Sequence, residues 1–335
     1  MSEAPAEATQ SDDAGNSGSG SMVTVIIAFV ANLAVAIAKT IASVLTGSAA
    51  MVAEAAHSWA DTGNEIFLII AERRGAKPAD AGHPLGHGRE AYVWSMFAAF
   101  GLFSVGAAVS IWHGIQSLFA GESETSYTVG YIVLGVSALF EGFSFLQSVR
   151  QARGKATVLR QPTLRYVMNG SNPTLRAVFA EDAAALIGIA IAFVAMLAHQ
   201  LTGIAAFDAI GSILVGVLLG IVAIVLIDRN RRFLVGETVT PEIRNEFLTS
   251  MLDIPAISSV SYLHIEFVGP GLVFLVAAVD LTGDDRESAL AVRLRAAEVE
   301  VEKLPIVQEV VLTPSAPGRT PLEVGSADTG PERLT

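Results

Sequence analysis

The sequence contains no cysteine. That excludes a disulfide framework, a thiol nucleophile and a thiolate site for Cu(I). Charge is scarce as well: Asp, Glu, Lys and Arg make up 16% of 335 residues, and 33 acids against 21 bases leave a net charge of −12. Nucleic acid needs a basic surface for its phosphates, so that class of partner is excluded. No HExxH segment occurs and no nucleophile stands beside the titratable groups described below. A membrane-embedded metalloenzyme, which would also gather His and carboxylates, is therefore disfavoured. Residues 1–21 are rich in Ser, Gly, Ala and acids and lack the basic start of a signal peptide. They read as a disordered tail.

What is abundant is apolar surface. Hydrophobic residues make up 52% of the chain, which suits a polytopic membrane protein rather than a soluble one. Six apolar stretches, near 22–46, 48–71, 91–119, 127–149, 173–199 and 206–227, are each long enough to span a bilayer. Basic residues cluster in alternate connections: Arg73, Arg74, Lys77 and Arg89 after the second stretch, then Arg150, Arg153, Lys155, Arg160, Arg165 and Arg176 after the fourth. Arg229, Arg231 and Arg232 follow the sixth, whereas the connections 46–48, 119–127 and 199–206 hold no Lys or Arg. Positive loops stay inside, so an integral membrane protein of the plasma or inner membrane with both termini cytoplasmic is expected.

From Gly236 the pattern changes. Pro241–Leu252 reads as a helix with Pro in its first turn, and 286–304 as a second amphipathic helix. Residues 257–267 and Leu272–Leu281 read as strands around a Gly269-Pro270-Gly271 turn, and 307–312 as a third. The order αββαβ predicts a small ferredoxin-like α+β domain. The expected organisation is a tail at 1–21, a six-helix transmembrane domain at 22–235, a cytoplasmic domain at 236–313 and a disordered tail at 314–335.

Within the second stretch the segment GSAAMVAEAAHSWADTGNE, residues 47–65, carries Glu54, His57, Asp61 and Glu65. Offsets of three, four and four put all four on one helical stripe. Ionisable groups at bilayer depth are expensive and face a protein interior or a pathway. A His and a carboxylate at i and i+4 can point at one cation such as Zn²⁺, and also at Mn²⁺, Co²⁺ or Fe²⁺. The fifth stretch carries Glu181 and Asp182 near its middle. A polar network that only ties helices together is the plainer alternative. In the loop after the second stretch, Asp80, His83 and His87 gather one oxygen and two nitrogens at spacings of three and four, a set suited to Zn²⁺. A polar loop shaped by Pro84 and its glycines is the alternative there.

The segment 47–65, followed by PADAGHPLGHGREAYVWS, resembles the cation diffusion facilitator family of divalent metal/proton antiporters. The resemblance covers about residues 22–312, with six spans and an αββαβ cytoplasmic domain. It implies a transport site that pairs two residues of the second span with two of the fifth, each pair four apart. Carried over, these are His57, Asp61 and Asp182. The remaining position is Val178, which offers no donor, and Glu181 stands in its neighbourhood about 100° around the helix from Asp182. Water with Glu181 as a proton acceptor, together with Glu141, is the alternative completion. The resemblance also implies a secondary metal site at Asp80, His83 and His87, and homodimerisation through the C-terminal domain.

The implied function is export of a divalent cation, Zn²⁺ first, in exchange for protons by alternating access, with no prosthetic group. Mn²⁺, Co²⁺ or Fe²⁺ export, or a non-transporting sensing or scaffold member of the family, are the alternatives. Four further groups carry expectations. Lys39 snorkels outward, Asn32 hydrogen-bonds between helices, Asp208 caps its own helix and lines the outer mouth, and Arg89 pairs with Glu237. His264 alone in the C-terminal domain makes a metal site there improbable on composition.

Overall fold

The computed structural model describes residues 17–119, 127–158, 161–283 and 286–325. Long helices dominate: α1 (Ser17–Thr46), α2 (Ala49–Gly75), α3 (Glu90–Gly101) continuing through a π-helical segment Leu102–Ala107 into α4 (Ala108–Phe119), and α5 (Tyr127–Val158). A short α6 (Thr163–Asn169) precedes α7 (Pro173–Thr202) and α8 (Ala206–Val235). Five stretches are long and apolar enough to cross a membrane: Phe29–Thr46, Glu90–Phe119, Tyr127–Thr157, Pro173–Thr202 and Ala206–Val235. The sixth, α2, has the length, but Glu54, Asp61, Glu65 and a charged end at Glu72, Arg73 and Arg74 dilute its apolar run. These helices make the chain an integral membrane protein. Leu139 and Phe143 on α5 and Trp112 on α4 are exposed, as side chains solvated by lipid are.

Several helical hydroxyls are satisfied within their own helix. Thr40 donates to the Ala36 carbonyl at 2.8 Å, Thr46 to Ala42 at 2.7 Å and Thr62 to Ser58 at 2.8 Å. Back-bonding of this kind lets Ser and Thr sit in apolar surroundings without an unmet donor. The π-helical segment in the third span was not legible in the periodicity. It carries Gly106, where an added Cβ would lie 2.9 Å from Leu219, so the two helices meet at close range.

The chain divides into two compact units, 1–65 with 102–141 and 185–220, and 66–101 with 142–184 and 221–335. In the first, Ala42, Ala50, Met51, Leu134, Ala192 and Met196 form a core in which alanines alternate with larger side chains. The second holds two smaller helical clusters, around Leu68, Ala98 and Ala177 and around Ala152, Val167 and Leu175.

The second unit also holds the αββαβ domain anticipated from the sequence. Helix α9 (Pro241–Leu252) is followed by β1 (Ile257–Gly269), β2 (Leu272–Leu281), α10 (Glu287–Glu302) and β3 (Val307–Pro314). The sheet order is β1-β2-β3, with β1 antiparallel and β3 parallel to β2. A parallel neighbour needs a crossover, and α10 supplies it. Alternation along β2 sends Val273, Leu275, Ala277, Val279 and Leu281 into the core, where Phe247, Leu248 and Met251 of α9 and Ala297 and Val301 of α10 cover them.

Two expectations are corrected here. The helix α1 begins at Ser17, inside the segment read as a tail, and residues 1–16 lie outside the described residues. Residues 315–325 return to the sheet: Ser315 N donates to Val279 O at 2.8 Å, Leu322 N to Val260 O at 2.7 Å, and Leu322 packs on the core. Leu322 and Val324 in an otherwise polar stretch were too weak a signal to reveal this; 326–335 lie outside the described residues.

The β1–β2 turn is locked to the loop after α2. An added Cβ at Gly88 would lie 2.6 Å from the Gly269 Cα and 2.6 Å from the Val268 carbonyl oxygen. One at Gly269 would lie 2.7 Å from the Gly88 Cα. Arg89 pairs with Glu266, not with Glu237, whose carbonyl instead accepts from Phe267 N at 3.1 Å. Ser171 Oγ accepts from Gly271 N at 2.9 Å. Gly269→Ala forces two backbones apart, and the overpacking is expected to cost about 1–3 kcal/mol. Thermal unfolding of the purified full chain in detergent measures it; an unchanged midpoint would show that the contact yields without cost.

Candidate metal-handling site

Helix α2 starts sharply. Gly47, at φ 64°, ends α1 in the left-handed region, and Gly47 N donates to Ser43 O at 3.0 Å. Ser48 then acts as the cap of α2, its Oγ accepting from Met51 N at 3.1 Å. The Asp208 carboxylate completes the start by accepting from Ser48 Oγ at 2.6 Å and from Ala49 N. Asp208 was expected to cap its own helix; it caps α2 instead, where an acid complements the helix dipole.

Along the stripe of α2 the four candidates have different fates. Glu54 is fully buried and its Oε2 lies 2.9 Å from Lys39 Nζ, itself fully buried. Lys39 therefore does not snorkel outward. Its ammonium stands seven residues before the end of α1, at a depth that matches Glu54 on an antiparallel neighbour. Counting depth from the 46–48 turn was the signal that would have found this pair. Glu65 accepts a 3.3 Å hydrogen bond from Asn32 Nδ2, the interhelical bond expected of that residue.

His57 and Asp61 remain. His57 Nε2 lies 2.9 Å from Asp61 Oδ2, with side-chain exposures of 1% and 15%. The approach is close but not aligned as a hydrogen bond: both His57 ring nitrogens and Asp61 Oδ1 lack such a partner among the described residues. Buried polar atoms left this way are costly, and the cost is relieved by a third group that satisfies both at once. A divalent cation taking one imidazole nitrogen and one carboxylate oxygen is such a group.

Asp182 and Glu181 lie on α7 in the other unit, both buried. Asp182 Oδ2 accepts from Ser144 Oγ of α5 at 2.8 Å, a partner the sequence did not suggest. Val178 packs against the apolar cluster of Leu68, Ala98 and Ala177. Glu141 on α5 sits in the first unit within the electrostatic field of Asp61, His57, Lys39 and Glu54.

The loop cluster is assembled as its spacing suggested. Asp80 Oδ1 accepts from Gly82 N and His83 N, each at 2.8 Å, and lies 3.3 Å from His83 Nδ1. Asp80 Oδ2 lies 2.8 Å from His87 Nε2, and His87 Nδ1 lies 3.0 Å from Glu90 Oε1. One donor atom from each of Asp80, His83 and His87 falls within 4.8 Å of the others. Glu90 orients His87 in the manner of an outer carboxylate behind a metal-binding imidazole, a role the sequence did not single out. Hydrogen bonds with Asp80 and then Glu90 raise the His87 pKa above its ordinary value. Those from His87, Gly82 and His83 hold Asp80 well below the usual carboxylate range.

Long apolar helices with a buried imidazole–carboxylate pair define a membrane protein equipped to handle cations. A profile of the cation efflux transmembrane domain matches residues 25–235. The plant protein "Metal tolerance protein C4" of Arabidopsis thaliana is 35% identical over 239 residues, covering 71% of this chain and 52% of its own length. The human "Proton-coupled zinc antiporter SLC30A9, mitochondrial" is 32% identical over 246 residues, 73% of this chain and 43% of its own. The "Magnetosome protein MamB" of Paramagnetospirillum magneticum is 23% identical over 248 residues, 74% of this chain and 78% of its own. The chain belongs to the cation diffusion facilitator family, whose members are transporters rather than enzymes. It spans about half the length of the first two of these relatives.

The loop geometry carries a pH dependence with a definite sign. The charged His87–Asp80 contact stabilises below the unfolded imidazole pKa, about 6.5, and is lost as pH rises through the elevated folded value. On the acid side, the Asp80 contribution is present above its unfolded pKa and is lost as pH falls through the depressed one. In Asp80→Asn the His87 titration, followed by imidazole NMR shifts without metal, is expected to move to lower pH. A midpoint unchanged from wild type would show that Asp80 does not hold the proton there.

Proposed function

We propose that the protein exports a divalent cation across its membrane, Zn²⁺ first among candidates, in exchange for protons. The observation that carries this is the His57–Asp61 pair: buried, 2.9 Å apart, and with a ring nitrogen and a carboxylate oxygen unspent. A nitrogen with carboxylate oxygens suits borderline Zn²⁺ better than Mg²⁺ or Ca²⁺. The same two groups explain proton exchange without further parts. A ligand must be deprotonated to hold the metal, so metal and H⁺ compete for one site. Imidazole, with an ordinary pKa of about 6.5, makes that competition effective near neutral pH.

Asp182 is the third ligand in this proposal, and Glu181 the nearby acid that completes the shell or takes the proton. Asp80, His83 and His87 form a secondary Zn²⁺ site, off the pathway, with a structural or regulatory role. The protein works as a homodimer with both termini cytoplasmic, alternating the exposure of its site by rocking of helices. The zinc and proton coupling named for the human relative, and the metal tolerance named for the plant one, agree with this cargo. One observation favours a second reading, a non-transporting member of the family. Val178, which stands where a fourth ligand would, lies in apolar packing with Leu68, Ala98 and Ala177.

Proteoliposomes with a trapped Zn²⁺ indicator and an internal pH dye test both. Zn²⁺-driven proton movement is expected for the wild type and none above background for Asp61→Ala or Asp182→Ala. Zn²⁺ binding by the wild type without flux would favour the second reading, and normal flux in both variants would remove the site assignment. His57→Asp replaces the nitrogen by oxygen and is expected to shift preference from Zn²⁺ toward Mn²⁺. Unchanged competition among Zn²⁺, Mn²⁺ and Cd²⁺ in the same vesicles would count against His57 as a ligand.

A further inference from the structure

The Lys39–Glu54 pair is more than the spacing of a helix contact requires. Both side chains are fully buried, and Nζ meets Oε2 at 2.9 Å. The other carboxylate oxygen, Glu54 Oε1, has no hydrogen-bond partner among the described residues. That oxygen packs against Gly188, where an added Cβ would lie 2.6 Å from it, so only a glycine leaves it space. A buried carboxylate oxygen ordinarily finds a partner, so Oε1 is acceptor capacity that the pairing with Lys39 leaves unused. The ammonium is also not committed to one anion, because it lies in the electrostatic field of Glu141 and Asp61 as well.

Position adds to chemistry. Glu54 is three residues before His57 on the same stripe of α2, one turn nearer the Gly47 turn. Beyond it toward that turn come Ser48 and the Asp208 carboxylate. The buried groups therefore run in sequence along the start of α2: the imidazole–carboxylate pair, then a carboxylate already holding a cation, then the capped helix end.

We propose that Glu54 is a second cation station of the transport path, occupied between passages by the tethered ammonium of Lys39. A divalent cation moving from His57 and Asp61 toward the Gly47 turn displaces the ammonium from Glu54. Lys39 then turns to the carboxylates of Glu141 and Asp61. Because the ammonium returns, the station is a transit point and retains no metal. The inference rests on the transport reading above and deepens it.

The test measures Zn²⁺ bound per chain by equilibrium dialysis of the full-length protein in detergent, alongside vesicle flux. Lys39→Met leaves Glu54 without its resident cation and is expected to bind an additional Zn²⁺ ion per chain. That ion disappears in Lys39→Met/Glu54→Gln, while Lys39→Arg, which keeps a cation on Glu54, binds as the wild type does. Glu54→Gln is expected to lower Zn²⁺ flux at least about tenfold, since one partner is removed from a buried pair and its cation is left uncompensated. The double variant removes both charges and leaves neither unpaired in the interior, and it too is expected to transport poorly. Wild-type stoichiometry in Lys39→Met, or wild-type flux in Glu54→Gln or in the double variant, would overturn the proposal. A wild type that moves no Zn²⁺ would sink the transport reading instead, and the stoichiometry of Lys39→Met still decides whether Glu54 holds a cation.

Discussion

A charge in an apolar interior must be matched, and that requirement shapes the buried polar contacts of the long helices. Stripping water from a carboxylate or an ammonium costs several kcal/mol unless a partner stands ready. Lys39 meets Glu54, Asn32 meets Glu65, Ser144 meets Asp182, and Asp208 takes up the start of α2. Arg176, fully buried on α7, is held by the Gly170 carbonyl at 2.8 Å and Asn230 at 2.6 Å, with its guanidinium 5.3 Å from the Phe233 ring. Against that background the His57–Asp61 pair is conspicuous because its donor atoms are unspent. An imidazole and a carboxylate with atoms left over give a travelling ion something to bind.

Small residues let these pairings form. Alanine and glycine dominate where helices approach, as at Ala42, Ala50 and Ala192 and at Gly106 against Leu219. Close backbones bring short acids such as Asp208 within reach of a neighbouring helix end, which a larger side chain would hold apart. The same device recurs outside the membrane helices. Gly88 against Gly269 brings the loop bearing Arg89 to Glu266, so the β1–β2 turn and the metal-binding candidates of the loop are neighbours. Metal at Asp80, His83 and His87 would therefore stiffen a segment already joined to the α+β domain, which suits a structural or regulatory role.

Much of this was legible in the residues themselves. The apolar runs marked the membrane helices, and the αββαβ order followed from the alternation of β2 and the apolar face of α10. Spacing alone assembled Asp80, His83 and His87, since all three lie in one short loop whose turns are set by Pro84 and glycine. The π-helical segment and the return of Leu322 to the sheet were not legible. The first is a local winding that no periodic pattern encodes, and the second rests on one apolar residue whose partner lies far along the chain.

The sequence by itself determined the long helices, the strands and the set of candidate ligands, because hydropathy and period are local properties of consecutive residues. Only the tertiary structure decided which candidates were already taken. Glu54, His57, Asp61 and Glu65 are equivalent along the stripe, and what separates them is Lys39 and Asn32 on another helix at matching depth. Asp208 likewise reads as a cap for α8 and serves α2. Such pairings depend on the depth and rotation of one helix against its neighbour, and neither is written in the periodicity of either helix alone.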